Sequence, residues 1–294
     1  MTRAPAPLQP LSALQYRVGL AVVGRVGGDD ALGRRSDTVD KPGPRWFTST
    51  DPVWRVHDDA AMFSSGVTAL LLQSLHPLAM AGVAGHSGYK SDPWGRLQRT
   101  SDYIGRTTFG TIDDAEAMIA RVRSVHDRVR GKDFRGRPYR AGDPRLLEWV
   151  HVAEIWSFLA GHRAYGIDPL TPTEQDRYVE QSGHAAAKLG VLDPPTTVAG
   201  LEAAIDSFRP ELEVSPAAVE AAHFLLEDPP LQWWARPAYG LLAAGGLAIL
   251  QPWAAQMLGL RQPRGGRARG RIGVAAVRWG LAGVHGSRVP GPTE

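Results

Sequence analysis

The sequence contains no cysteine, and it has only 4 lysines beside 29 arginines. Without thiols the chain forms no disulfides, no iron–sulfur clusters and no zinc sites of the usual cysteine type. It also has no thiolate nucleophile. Any iron that the chain binds must therefore be held by histidine, methionine, tyrosine or carboxylate side chains.

A concentrated basic face is the second thing that the sequence lacks. The formal net charge is +3, and for most of the chain the arginines alternate with acids. Nucleic-acid binding calls for clustered basic residues, so we expect no nucleic-acid partner. The N-terminus has no long apolar run, because Arg17, Arg25 and Asp29 interrupt it. A secretory signal is therefore not predicted, and a cytoplasmic protein is the expectation.

The composition fits one large domain, with 43% hydrophobic and 21% charged residues in a chain of 294. Strand signals are almost absent, which predicts an all-α, single-domain fold. We divide the chain into an irregular N-terminal arm (1–58) with one short helix near 11–23, a helical domain (59–260) and a basic C-terminal tail (261–294). The tail has seven arginines and one acid, and a short helix is expected near 272–281.

Two stretches are nearly free of charge. Within 59–85 the apolar residues surround the helix on almost every side, which indicates burial, and Pro77 predicts a break directly after His76. His76 is then either a structural histidine at that break or a functional one. Residues 238–260 form a run of 23 without formal charge. Its glycines and Gln251-Pro252 favour a packed helix that ends there and is either buried or docked peripherally on a membrane, with a membrane span as the alternative.

Arginines and a threonine share one face of the helix predicted over 96–105. Arg96 and Thr100 lie four positions apart, and Arg99 adjoins them. Guanidinium groups bind carboxylates through paired hydrogen bonds, so this face suits a carboxylate ligand. The alternative is a solvated face that pairs with Asp92 or Asp102.

His126 lies on the apolar side of a predicted helix that starts with a capping pattern at Thr111. Ile119, Val122 and His126 fall on one face of that helix. A histidine among apolar neighbours is either a hydrogen-bonded core residue or a ligand for iron.

Two Glu-x-x-His motifs raise a competing possibility. Glu148 with His151, and Glu220 with His223, have the spacing found in di-iron carboxylate helix bundles. They predict, as an alternative function, a helical di-iron oxidase.

Several short motifs, in this order and spacing, resemble the family of latex-clearing rubber oxygenases and MpaB-type oxygenases over roughly residues 55–255. The motifs are Leu75-His76-Pro77, Arg96-Leu97-x-x-Thr100, Phe109-Gly110-Thr111, Val125-His126-x-x-Val129-x-Gly131, and Asp143-Pro144-x-Leu146-Leu147-x-Trp149-Val150-His151. The resemblance implies an all-helical fold with a globin-like core, a b-type haem held by one proximal histidine, and O2-dependent chemistry.

Carried over by position, the family's Arg-x-x-x-Thr pattern falls on Arg96 and Thr100, and the axial histidine falls on His126. A distal lysine of some rubber oxygenases is replaced by Arg99, which we expect to donate hydrogen bonds rather than bind iron. The carboxylate proposed as a base in some relatives has no clear counterpart before Arg96.

These observations lead to the hypothesis of a haem-b-dependent oxygenase that activates O2 or peroxide on an apolar small molecule or a prenyl chain. His126 is the expected iron ligand, Arg96 and Thr100 contact the haem edge, and Arg99 or His76 is the distal donor. His151 either supports the cofactor or is structural. A haem or lipid carrier without turnover needs the same pocket and is the remaining alternative.

Overall fold

The computed structural model describes residues 10–28, 33, 37–88 and 91–285, and helices dominate these ranges. The prediction of an all-α fold is confirmed. In chain order the elements are α1 (Pro10–Gly27), α2 (Pro52–Asp58), α3 (Met62–Gln73), α4 (Pro77–His86), α5 (Pro93–Phe109), α6 (Ile112–His126), β1 (Arg130–Lys132), β2 (Pro138–Arg140), α7 (Pro144–Tyr165), α8 (Pro172–Leu189), α9 (Val198–Ser207), a 3-10 turn (Arg209–Glu211), α10 (Pro216–Leu226), α11 (Arg236–Ile249), α12 (Pro252–Met257) and α13 (Gly266–His285). The outer ends of the predicted arm and tail, 1–9 and 286–294, lie outside the described residues.

Local sequence signals set the starts of two helices, and the one at Thr111 was predicted. The Thr111 side chain accepts a hydrogen bond from the backbone N–H of Asp114 and so caps α6. At the start of α8, Thr171 and Glu174 form a reciprocal capping box, in which the Glu174 carboxylate accepts from the Thr171 N–H at 2.8 Å. These bonds satisfy backbone donors that the first helical turn leaves unpaired.

The uncharged stretch breaks where Pro77 predicts. α3 ends at Gln73, α4 begins at Pro77, and the two helices are bent by 112°. Leu71, Leu72 and Leu75 are fully buried in the main core. The indole N–H of Trp149 on α7 donates to the Gln73 carbonyl at 3.0 Å, which joins α3 to α7. The interior beside α3 is therefore packed with side chains from α7.

The second uncharged stretch is also broken where expected. α11 ends at Ile249 and α12 begins at Pro252. The Thr68 hydroxyl donates to the Gly246 carbonyl at 2.8 Å, so α11 packs closely on α3. In the described ranges no single helix is long and apolar enough to cross a membrane, although α3 and α4 meet the length and composition requirement as a bent pair.

The C-terminal region differs from the expected tail, because it contains the 20-residue helix α13. This helix packs between α1 and α11, and we call the three helices the outer layer. Glycines allow the close approach: a Cβ on Gly270 would lie 2.7 Å from the Gly245 Cα, and one on Gly280 would lie 2.8 Å from Val18 Cγ1. Tertiary packing thus stabilises a helix whose glycines give it low intrinsic propensity.

One residue of α7 contacts two helices of the outer layer. The Tyr165 hydroxyl donates to the Gly245 carbonyl at 2.9 Å. The Arg278 guanidinium donates to the Tyr165 carbonyl at 3.1 Å and to the buried Asp59 carboxylate at 2.8 Å. These contacts attach the outer layer to the main core.

Candidate functional site

His126 is the last residue of α6, one face of which is buried through Ala115, Met118 and Ile119. The imidazole is half-buried, and its Nδ1 atom is inaccessible and has no hydrogen-bond partner among the described residues. Burial lowers the pKa of His126, with a smaller opposing effect from Asp127. The ring is therefore neutral near pH 7, and a histidine must be neutral to act as a metal ligand.

The arginine face of α5 lies near the start of that helix, where Asp92 is the N-cap and accepts from the Gly95 N–H. Arg99 donates to the Asp92 carboxylate at 3.1 Å and to the Ser87 carbonyl at 3.2 Å. Its side chain is 60% exposed, so Arg99 occupies the solvated ion pair that the sequence left as an alternative. Arg96 is half-buried and Thr100 is exposed. The three side chains therefore do not share one buried surface.

His76 is the N-cap residue of α4 and lies inside the bend between α3 and α4. It is 2% exposed, and its ring packs near the rings of Trp149 and Phe208. Its Nε2 atom is 3.6 Å from a Glu211 carboxylate oxygen, which is too long for a normal hydrogen bond. Burial lowers the pKa of His76 more strongly than Glu211 raises it. His76 is thus a neutral, buried imidazole without a hydrogen-bonded ring nitrogen among the described residues.

His151 and Glu154 lie one turn apart on α7. His151 is 9% exposed, burial lowers its pKa to about 4, and its Nε2 atom has no partner within the described part of the chain. Glu154 is half-buried by surface area, yet it lies deep enough among protein atoms that desolvation raises its pKa to about 7. Glu154 was not among the candidates predicted from the sequence. The pattern that could have indicated it is a single carboxylate within a stretch of apolar residues on one helix.

Glu154 belongs to a small group of buried or half-buried titratable side chains, which we call the Glu154 cluster: His57, Tyr103, Glu154 and Tyr178. Desolvation raises the pKa of both tyrosines, and the nearby Glu154 carboxylate raises it further, while a hydrogen bond with Ser182 lowers that of Tyr178. The ring of His57 lies 5.9 Å from that of Tyr178, and its Nδ1 atom is 2.8 Å from the Thr108 hydroxyl. Burial lowers the pKa of His57 to about 3. The cluster joins α2, α5, α7 and α8 around one carboxyl that titrates near neutrality.

The two Glu-x-x-His motifs do not form a di-iron site. His223 is exposed and lies 3.3 Å from Glu227, while Glu148 pairs with Arg145 at 3.1 Å. Nowhere in the described ranges do three or more His, Asp or Glu side chains converge so that they could hold a metal ion. The di-iron alternative therefore lacks its ligand set.

Comparison with known proteins gives one match. The model of the family described as "ER-bound oxygenase mpaB/B'/Rubber oxygenase, catalytic domain" matches residues 54–279. No curated protein and no solved structure matches the chain. The matched range begins in α2, ends in α13 and includes His76, Arg96, His126 and Glu154.

Proposed function

Since the chain belongs to the family of MpaB and rubber oxygenase catalytic domains, we propose that it is a haem-b-dependent oxygenase. In this proposal O2 or peroxide is the oxidant, and an apolar small molecule or prenyl chain is the substrate. Family membership supports the oxygenase activity, and the unpartnered imidazole nitrogen of His126 supports the haem.

The chemistry of the histidines fits a haem iron. An imidazole that would hold a haem iron must be neutral and must have a nitrogen without another partner. His126 meets both requirements, since burial lowers its pKa and its Nδ1 atom has no partner in the described ranges. When bound, a b-type haem supplies the redox chemistry that activates the oxidant. We assign the metal-ligand role to His126, and contacts to the haem edge to Arg96, Thr100 and His151.

We assign the role of hydrogen-bond donor to the oxidant to His76 or Arg99. His76 has two unpartnered ring nitrogens in an apolar setting, which makes a hydrogen bond to a bound ligand favourable. Arg99 would have to leave its ion pair with Asp92, and that pair is weak because both side chains are exposed and water and salt screen their charges.

Glu154 is assigned the handling of protons. A carboxyl with a pKa of about 7 exists in both protonation states at neutral pH, so it can release or accept a proton at its carboxyl oxygens. Tyr103 and Tyr178 stay protonated because burial and the Glu154 charge raise their pKa. A carboxylate base is proposed in some relatives, and this sequence has no clear counterpart of it before Arg96. In our assignment Glu154 serves as that base.

The test is a haem titration of the purified protein, followed by the Soret band. We expect one haem-dependent Soret band, and we expect His126→Ala to lose or shift it. His223→Ala is the matched control, because His223 is 62% exposed and pairs only with Glu227 among the described residues. The absence of a Soret band after haem addition, or an unchanged band in His126→Ala, would contradict the assignment.

Oxygen uptake separates an enzyme from a carrier. The haem-loaded protein should consume O2 in the presence of terpenoid, prenyl or aromatic compounds, and product analysis should identify an oxidised product. Haem binding without substrate-dependent uptake across such a panel would favour the carrier.

A further inference from the structure

The charges of the chain are strongly separated between its middle and its ends. Residues 29–228 contain 22 Lys and Arg against 29 Asp and Glu, whereas 1–28 and 229–294 together contain 11 against 1. All three helices of the outer layer come from these end segments, and none of them contains an acidic residue. The outer layer is therefore a positively charged surface on a protein body that is negatively charged.

α13 turns its glycines toward its neighbours and exposes a mixed face to solvent. Arg267, Arg269 and Arg271 are exposed, and none of them has a carboxylate partner in the described part of the chain. Farther along the helix, Ile272 is 60% exposed and Trp279 is 38% exposed. Every side chain between Arg271 and Arg278 is apolar or glycine. Arginines at one end thus precede an uncovered apolar stripe.

The rest of the outer layer repeats this combination. On α1, Leu14 is 54% exposed, Leu20 is 37% exposed, and Arg17 lies between them. The turn that leads into α11 exposes Trp233 at 81% and Trp234 at 62%.

The turn with Trp233 and Trp234, which we call the tryptophan turn, lies beside the end of α1. Arg25 at the end of α1, Trp94 and Trp233 line one surface recess of about 440 Å³. The guanidinium of Arg25 lies 4.9 Å from the Trp94 ring centroid. The tryptophan turn and α1 therefore contribute to one continuous surface.

We propose that the outer layer and the Trp233-Trp234 turn form a docking surface for a bilayer that contains anionic lipid. Tryptophan indoles partition to the headgroup level, where one edge is apolar and the N–H is hydrated. Exposed guanidinium groups bind lipid phosphates, while the apolar stripe enters the boundary of the acyl chains. α13 lies in the plane of the interface, since its four arginines oppose insertion across the bilayer. The negatively charged remainder of the protein faces away from the lipid.

Charge and composition favour a lipid surface over two other occupants. A second copy of the chain would bring unpaired arginines against unpaired arginines, because a two-fold interface uses the same patch twice. A nucleic acid would meet exposed Leu14, Ile272 and Trp279 side chains between the arginines, where its phosphates have no partners.

The test is vesicle flotation of the full chain with phosphatidylcholine alone and with phosphatidylcholine plus phosphatidylserine. We expect binding only to the anionic vesicles, with a loss of binding at high salt. The triple variant R267Q/R269Q/R271Q should bind about 100-fold more weakly, at about 5-fold per arginine. The variant R267K/R269K/R271K retains the charge and should keep most of the binding. W233A/W234A should also weaken binding, but with little change in its salt dependence.

R121Q/R128Q/R140Q is the matched control, because it removes three exposed arginines from the acidic part of the chain. It should bind vesicles as the wild type does, and circular dichroism should show that all variants are folded. Equal binding to neutral vesicles, no binding to either vesicle, or an equal loss in the control variant would overturn the proposal. Two other results would also overturn it if vesicles do not bind: binding of a duplex oligonucleotide, or self-association that R267Q/R269Q/R271Q abolishes.

Discussion

Replacing Glu154 by glutamine should remove a pH dependence from the stability of the protein. Burial raises the pKa of Glu154 from the ordinary 4.5 to about 7, so the folded state holds this proton more tightly than the unfolded chain does. Below about pH 4.5 the carboxyl is protonated in both states and costs nothing. As the pH rises from 4.5 to 7 the unfolded chain ionises first, and the folded state is progressively destabilised.

The shift corresponds to about 3 kcal/mol, and the partial accessibility of Glu154 reduces this to about 2 kcal/mol. The glutamine side chain is nearly isosteric with glutamate and does not ionise. The free energy of unfolding of Glu154→Gln minus that of the wild type should therefore increase by about 1.5 kcal/mol between pH 5 and pH 8, since part of the cost is already present at pH 5. For a chain of 294 residues that difference equals about 2–3 °C in Tm.

The measurement is thermal or urea unfolding, followed by circular dichroism at pH 5, 6, 7 and 8. His57 and His151, whose pKa values burial lowers to about 3 and about 4, contribute in the opposite direction. Their stabilisation is complete above the unfolded value of 6.5 and is lost as the pH falls below it. Both proteins share these histidines, so the difference between variants cancels them. Glu202→Gln, on the exposed face of α9, is the control and should give a flat difference. A difference for Glu154→Gln that is equally flat would refute the reasoning.

Two further predictions concern packing and capping. Gly246→Ala should destabilise the protein by about 1–3 kcal/mol, because its Cβ would lie 2.6 Å from the Ser64 carbonyl oxygen. In the same helix, a Cβ on Gly240 would meet nothing within 4 Å, so Gly240→Ala should stabilise the protein by about 0.5–1 kcal/mol. Thermal unfolding that ranks the two variants in the reverse order would contradict the packing of α11 on α3. Thr171→Ala should cost about 1 kcal/mol through loss of the capping box with Glu174, and Thr171→Ser should restore most of it. An unchanged Tm in Thr171→Ala would show that α8 does not depend on this cap.

Features that depend on neighbouring residues were predictable from the sequence. Thr111 and Thr171 cap helices because the donor and acceptor are three residues apart. Pro77 and Pro252 begin new helices because proline lacks the N–H that would continue the previous one.

Features that depend on distant residues were not predictable in the same way. α13 is twice as long as the helix expected near 272–281, since the contacts of its glycines with α1 and α11 override their poor propensity. The short hairpin of β1 and β2 was not predicted from the sequence. Asp133 organises its turn by accepting from the N–H groups of Arg135 and Arg137. Strands of three residues are too short to show an alternating pattern.

In the candidate site, too, the features that depend on neighbouring residues were predictable and those that depend on distant residues were not. The inward face of α6 was evident from the spacing of Ile119 and His126, because that spacing is local. The raised pKa of Glu154 arises from helices that are remote in sequence, so no local pattern encodes it. The spacing of Arg96 and Arg99 was correct as a helix face, and Asp92 was named as an alternative partner. The spacing alone could not decide between Asp92 and a carboxylate ligand, nor show that the Ser87 carbonyl after α4 would bind Arg99.

The glycines between α11 and α13 affect the axial register of these helices. Helices usually fix their relative height by fitting side-chain ridges into grooves, and Gly245 and Gly270 leave no ridge at the point where they meet. Tyr165 holds both helices beside this point: its hydroxyl binds the backbone of α11, and its carbonyl binds Arg278 of α13. The last residue of α7 thus contacts two outer helices, so a displacement at that end of the core would move both of them together.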